Sequence, residues 1–290
     1  MSIDLLDEQR SGISGQQHPT PVTYALGHTE AELRRLALQS ALFGDATGDL
    51  FRRAGLAPGM RVLDLGCGAG DVSLLAAAFV GPTGSVTGID RSADAIAWAR
   101  RRAQIAGLHN LSFAAADLDG CDLSAPVDAI VGRFVLMYLR DPAATLARLR
   151  RWLRPGGCVA FLEFDTTIPG ISVPEMPLVE TCRRWIWAAL RQSGADAAMG
   201  LKLPAVFRQA GLSLPQLSVS VAVAADADSP AYENVAEAMR SLLPRMEEFG
   251  IARAGEVQVD TLAERLRAEA RRLDGIFVYP ATIGAWARTR

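Results

Sequence analysis

Paired metal-binding residues are missing from this sequence. Its four cysteines, Cys67, Cys121, Cys158 and Cys182, never form a CxxC pair, and its three histidines, His18, His28 and His109, form no HExxH spacing. Neither a zinc nor an iron–sulfur site is therefore expected. An excess of positive charge is missing too: 30 Lys+Arg stand against 32 Asp+Glu, a formal net charge of −2. Without a long-range positive field, a dedicated DNA or RNA binder is not expected. Lysine is almost absent, Lys202 being the one lysine among the 30 cations. The accompanying arginine and alanine excess reads as genome base composition and carries no function. No apolar run approaches the length that spans a bilayer, the longest covering residues 74–80. The first residues, MSIDLLDEQRSG, are acidic rather than basic and hold no signal-peptide core. The expectation is a soluble, cytoplasmic protein, with no membrane partner, whose thiols stay reduced and packed.

What is present is apolar material: 50% of the 290 residues are hydrophobic and 21% charged, which suits one large α/β domain and excludes disorder as the main state. Residues 1–22, rich in Gly, Gln, Ser and Pro from 11 to 21, read as a flexible leader. An N-terminal helical arm over 23–59 follows. Thr29 and Glu32 have capping-box spacing, and Leu33, Leu36, Ala37 and Ser40 predict a helix over 30–43, with a second short helix over 49–54 and a turn at Pro58-Gly59. From Arg61 to Phe164 short apolar strands alternate with helices, the signature of a parallel sheet covered on both faces. Strands are read at RVLDLG, SVTGID, LSFAA, VDAIVG and CVAFLEF, and helices over 71–80, after Ser92 and after Asp141-Pro142. This core spans 60–165. Residues 166–213 read as a lid or substrate-binding insertion, loop-like to 174 and helical over 175–191 and 203–210. Residues 214–290 complete the sheet, with strand character at 217–225, helices near 230–248 and 260–273, and a last strand in GIFVYPATIGAWAR.

The chemistry lies in Val62 to Gly70, a buried strand running into Gly66-Cys67-Gly68-Ala69-Gly70 and then a helix. Alternate glycines let the backbone turn sharply and approach a ligand. Asp90 lies 20 positions after Gly70, at the end of the second strand, where its two oxygens can accept both hydroxyls of a ribose. A dinucleotide site would place its third glycine at position 71, but Asp71 stands there and brings negative charge to the pyrophosphate position. A nucleoside cofactor with a positive centre and no phosphate fits better. Asp90 and Asp117 could also be caps or loop acids, Tyr24 a surface tyrosine, and Cys67 a small packing residue.

These residues resemble the class I S-adenosylmethionine (SAM)-dependent methyltransferases, small-molecule branch, over residues 60–165. Asp64 to Gly70 is similar to the first motif of that family, Ile89-Asp90-Arg91 to its second-strand motif, Asp117-Leu118 to its adenine-edge motif, and Leu153-Arg154-Pro155-Gly156-Gly157 to the turn before its fifth strand. Tyr24-Ala25-Leu26-Gly27-His28, Gln39 and the run Gly132 to Tyr138 carry the small-molecule likeness. The resemblance implies a doubly wound, Rossmann-like seven-stranded sheet of order 3-2-1-4-5-7-6, with SAM as cofactor and S-adenosylhomocysteine as product. It implies that Gly66, Cys67, Gly68 and Gly70 cradle the methionine part while Asp64 reaches its ammonium through water and the Gly132 carbonyl takes it directly. Asp90 would hold the ribose. Asp117 and the Leu118 amide would read the adenine edge, with the Arg91 and Leu118 side chains over its faces, and Tyr24, Gln39 or Arg133 would bind the carboxylate.

Methyl transfer needs alignment more than acid–base help. Where an oxygen or nitrogen acceptor must lose a proton, the candidate bases are His28, Tyr138 and Glu163. Leu178, Cys182, Trp185 and Ala189 recur at helical spacing as a buried stripe, which sends Trp187 about 200° away from Trp185. Trp185, Trp187 and Phe164 point to an apolar or aromatic acceptor. The fourth-strand end reads Gly-Arg-Phe-Val and not Asn-Pro-Pro-Tyr, which disfavours nucleic-acid and protein-glutamine substrates. The sequence thus reads as a methyltransferase of secondary metabolism acting on O, N or C of a small metabolite. An NAD(P) oxidoreductase and a non-catalytic partner subunit are the alternatives, and a homodimer through the lid helices is compatible with the pattern.

Overall fold

The computed structural model describes residues 30–118, 123 and 125–289, with side chains from residue 38 onward. The leader expected over 1–22, with Tyr24 and His28, lies outside these residues.

The arm is one helix, α1 (Glu30–Ala54), and not the two helices the sequence suggested. Gly44, Asp45 and Gly48 resemble a break, yet a helical glycine costs only about 1 kcal/mol. Burying Phe43, Leu50 and Phe51 at ~1.5–3 kcal/mol each outweighs that. Between the two glycines, Thr47 is buried and donates to the Phe43 carbonyl at 2.7 Å.

The core then alternates as read: β1 (Arg61–Leu65), α2 (Asp71–Val80), β2 (Ser85–Asp90), α3 (Ala93–Ile105), β3 (Leu111–Ala115), β4 (Val127–Arg133), α4 (Pro142–Leu149) and β5 (Leu153–Asp165). The expected caps are in place. Ser92 accepts from the Ala95 amide at 3.1 Å and Asp141 from that of Ala144 at 2.8 Å, with Pro142 opening α4. After β5 come β6 (Ile171–Val173), α5 (Pro177–Gln192), α6 (Met199–Gln209), β7 (Gln216–Ser220), β8 (Val223–Ala224), α7 (Pro230–Glu248), α8 (Ala254–Val257), α9 (Val259–Leu273), β9 (Ile276–Val278) and β10 (Ala281–Arg288).

Seven strands form the main sheet in the order β3-β2-β1-β4-β5-β10-β7, which is 3-2-1-4-5-7-6 when only its own strands are counted, as the resemblance implied. The five strands β1 to β5 are parallel, and β10 runs antiparallel between β5 and β7. The ends of β1, β2, β4 and β5 therefore open on one edge, where such folds bind ligands.

A second sheet, β6-β9-β8, was not foreseen. The segment read as loop contains β6. The single strand read over 217–225 is divided between the two sheets, and so is the terminal one, which changes sheet at Tyr279-Pro280, where proline has no amide to continue a ladder. Three short segments far apart in sequence make this sheet, so no local pattern announces it.

The inserted helix also differs in phase. Val179, Cys182, Trp187, Ala189 and Leu190 are its buried residues, while Leu178 and Trp185 are half-buried. Trp187 and not Trp185 is the inward tryptophan, because α5 is covered on two sides, by α7 and by Phe164, whose ring lies 5.3 Å from that of Trp187. Among the described residues no helix is long and apolar enough to cross a membrane.

Candidate active site

Past the end of β1 the chain enters left-handed backbone at Gly66 (φ 61°), Gly68 (φ 50°) and Gly70 (φ 86°), a region in which side chains are strained. Gly66 is further constrained by space, since a Cβ there would lie 2.4 Å from Val135 Cγ2. The loop is tied down by its own amides: Cys67 donates to the Ile89 carbonyl at 3.0 Å and Gly70 to that of Cys67 at 2.8 Å. Asp90, half-buried at the end of β2, accepts the Gly68 amide on Oδ2 and the Ser92 amide on Oδ1, both at 2.9 Å. Each of its oxygens keeps a lone pair for a further donor. Burial pushes the Cys67 thiol well above its ordinary range, so it packs under the loop as a neutral group.

Asp64 is fully buried beneath this cradle. Its Oδ2 accepts from Ser73 Oγ at 2.6 Å, while Oδ1 is buried with no hydrogen-bond partner. Desolvation pushes the carboxyl up to about 7, against the pull of Ser73 and Arg133. Arg133, buried at the end of β4, donates to Thr47 Oγ1 at 3.2 Å and lies 5.9 Å over the Phe134 ring. Gln39 is also buried, about two turns before Thr47 on α1, so the arm covers this side of the cleft. Gly132, the residue before Arg133, has no room for a side chain, a Cβ there falling 2.6 Å from the Phe161 ring and 2.8 Å from Val135.

At the other end of the crevice Arg91 and Asp117 are exposed and Leu118 is buried, with its carbonyl held by Arg148 of α4. Asp71 does not present the bare charge that the sequence suggested. It pairs with Arg102 of α3 at 2.7 Å, and Arg102 also holds the Ala69 carbonyl at 2.8 Å. Only Asp64 therefore speaks against a diphosphate, because a carboxylate in the place of Asp90 is shared by dinucleotide sites.

Beyond β4 and β5 lies an aromatic cluster. Phe134, in left-handed backbone at φ 53°, stacks on Phe164 at 4.1 Å and 11°. Phe43 of α1 meets both edge-on at 5.2 and 5.4 Å and Tyr279 at 5.7 Å, and Trp187 closes the group. Sequence reasoning found Phe164 and Trp187 but missed Phe43, Phe134 and Tyr279, which come together only through the sheet order. Trp185 stands outside these ring contacts among the described residues. Tyr138 is half-buried in a short 3-10 turn over Leu136–Tyr138.

Glu163, expected as a base, is wholly buried. Its Oε1 accepts the amides of Val135 at 2.9 Å and Leu136 at 2.8 Å, and its Oε2 has no partner. Desolvation pushes the carboxyl up to about 8 despite these amides. Two residues on, buried Asp165 caps α6 by accepting the Leu201 amide at 2.7 Å.

The donor set suits an adenosine that carries a charged amino acid. A glycine cradle, a carboxylate with spare lone pairs at the β2 end and an unpartnered Asp64 oxygen near the β1 end belong to the same edge of the sheet. A family model described as a methyltransferase domain matches residues 56–201. Over 113 residues the chain is 40% identical to a trans-aconitate 2-methyltransferase of Methylobacterium nodulans, covering 39% of this chain and 41% of that protein. Over 104 residues it is 38% identical to an aklanonic acid methyltransferase of Streptomyces sp. (strain C5), covering 36% and 47%. The chain thus spans less than half the length of these relatives. The YcgJ protein of Bacillus subtilis shares the fold, with a TM-score of 0.57 at 16% identity over 85% of this chain and 99% of that one.

Proposed function

The chain belongs to the methyltransferase-domain family, and from that premise we propose that it transfers a methyl group from SAM to O, N or C of a small metabolite with an apolar or aromatic body. The observation that carries this reading is the pairing of the Asp90-tied glycine loop with the buried, unpartnered Oδ1 of Asp64 on the strand that leads into it. When bound, SAM supplies a methyl carbon on a sulfonium, open to in-line displacement. Asp90 holds the ribose diol with the lone pairs left by Gly68 and Ser92. Asp117 and the Leu118 amide read the adenine edge, with the Arg91 and Leu118 side chains over its faces. Asp64 reaches the ammonium through water and the Gly132 carbonyl receives it, and the backbone of Gly66, Cys67, Gly68 and Gly70 lies along the amino-acid part. Arg133, with Gln39 and Tyr24, takes the carboxylate.

The Phe134, Phe164 and Trp187 rings supply a dry wall for the acceptor, and exclusion of water there favours transfer over hydrolysis. Relatives named for trans-aconitate and aklanonic acid support a small organic acceptor, and secondary metabolism is the setting we propose for it. An acceptor that must release a proton finds Tyr138 or His28 as its base. Glu163, neutral below about pH 8 and closed off from solvent, is a poor one. We place the enzyme in the cytoplasm, acting without nucleic acid or membrane.

The test is a metabolite-extract screen with methyl-labelled SAM, read by mass spectrometry. A labelled small molecule formed by the wild-type protein and lost in Asp90→Ala is expected. Label found only in protein or nucleic acid would overturn the reading.

A further inference from the structure

Glu163 is a wholly buried acid that the proposed reaction does not use. Its neighbours along β5 are apolar, it has no exposure to solvent, and its Oε1 gathers the amides of Val135 and Leu136. Those amides belong to the turn that leaves β4, directly after Phe134. Phe134 is a bulky residue in left-handed backbone, a conformation that persists only where its surroundings impose it. The turn faces both halves of the cleft. Val135 fills the space over Gly66 and Gly132, where a Cβ would fall 2.4 Å and 2.8 Å from its methyl carbons. Phe134 lies flat on Phe164, the residue next to Glu163.

We propose that Glu163 is a positioning residue and not a base: by holding the Val135 and Leu136 amides it seats Val135 on the glycine cradle and sets Phe134 against Phe164, shaping the cofactor side and the acceptor side through one turn. The ligand in this inference rests on the methyltransferase reading; the clamp itself does not. Burial keeps the carboxyl neutral up to about pH 8, so a glutamine, whose carbonyl accepts the same two amides, reproduces the clamp without the acid.

The test compares Glu163→Gln, Glu163→Leu and Val135→Ala with the wild type by hydrogen exchange over residues 134–138 and by calorimetry with S-adenosylhomocysteine. Glu163→Gln is expected to keep the amides protected and the affinity within about threefold. Glu163→Leu is expected to speed exchange at 135 and 136 at least tenfold and to weaken binding about tenfold, as the turn loses the acceptor that seats it. Val135→Ala, which keeps the clamp and removes the seat over Gly66, is expected to leave exchange slow yet weaken binding several-fold. It carries the test together with Glu163→Gln if the leucine variant does not fold. A glutamine variant with unprotected amides or an affinity loss of tenfold or more would overturn the proposal, as would wild-type exchange in Glu163→Leu or wild-type affinity in Val135→Ala. Failure of the wild type to bind S-adenosylhomocysteine would instead count against the methyltransferase reading, with the exchange comparison still deciding the clamp.

Discussion

Asp90 ties the glycine loop, and the proposed function gives the same carboxylate a ligand to hold. With Gly68 on one oxygen and Ser92 on the other, it fixes the glycine loop, and each oxygen keeps a lone pair for a further donor. Replacing it with alanine removes both services. Asp90→Ala is expected to weaken S-adenosylhomocysteine binding tenfold or more by calorimetry, from ~1.5–3 kcal/mol per charge-assisted bond. Asp64 adds a pH dependence. Its carboxyl, pushed up to about 7, is protonated below that value and cannot then accept charge from an ammonium group. Affinity for SAM is expected to fall as pH drops through 7, and Asp64→Asn should lack that step. The folded-state pKa is raised above the ordinary 3.8, so the effect on stability has the opposite sense. The contribution is fully present below about 4 and is lost as pH rises through 7, and thermal unfolding of Asp64→Asn should be flatter across that window. Asp64, Asp90 and the three glycines were legible because they sit in one short stretch or at a fixed distance from it. The part played by Glu163 was not. Its partner amides lie 27 and 28 positions away, and nothing in LEF distinguishes a clamp from a base.

Helix α1 shows where local pattern misleads. Two glycines and an aspartate within five residues read as a break, but the turn they occupy is spanned by Phe43, Thr47, Leu50 and Phe51, all buried. Gly44 has nothing within 4 Å of an added Cβ and no positive φ. Gly44→Ala is therefore expected to stabilise the protein by about 0.5–1 kcal/mol, read from the urea midpoint; a loss of stability would mean that the helix does not run through 44. The strands of the core were legible for the converse reason. β1, β4 and the later part of β5 are buried on both faces, which writes an unbroken apolar run into the sequence. The same logic fails for β6, β8 and β9, which are two or three residues long and too short to carry a period. In α5 the error was one of phase: burial on two sides blurs the single stripe that periodicity reasoning assumes.

At the scale of the whole molecule, the parallel strands bring β1, β2, β4 and β5 to a common edge, and the arm, the inserted helices and the second sheet close around it. The order of the main sheet followed from the family resemblance; the way Phe43, Phe134, Phe164, Trp187 and Tyr279 converge did not, because five separate segments meet there. The proposed function makes one demand on the ligand: a nucleoside at the Asp90 end and a cationic amino acid near Asp64, with no diphosphate between them. Calorimetric titration of the wild-type protein with S-adenosylhomocysteine and, separately, NADH tests this most directly. Saturable one-to-one binding of the sulfur compound without a response to NADH is the expected result. Saturable NADH binding with no heat from S-adenosylhomocysteine would contradict it.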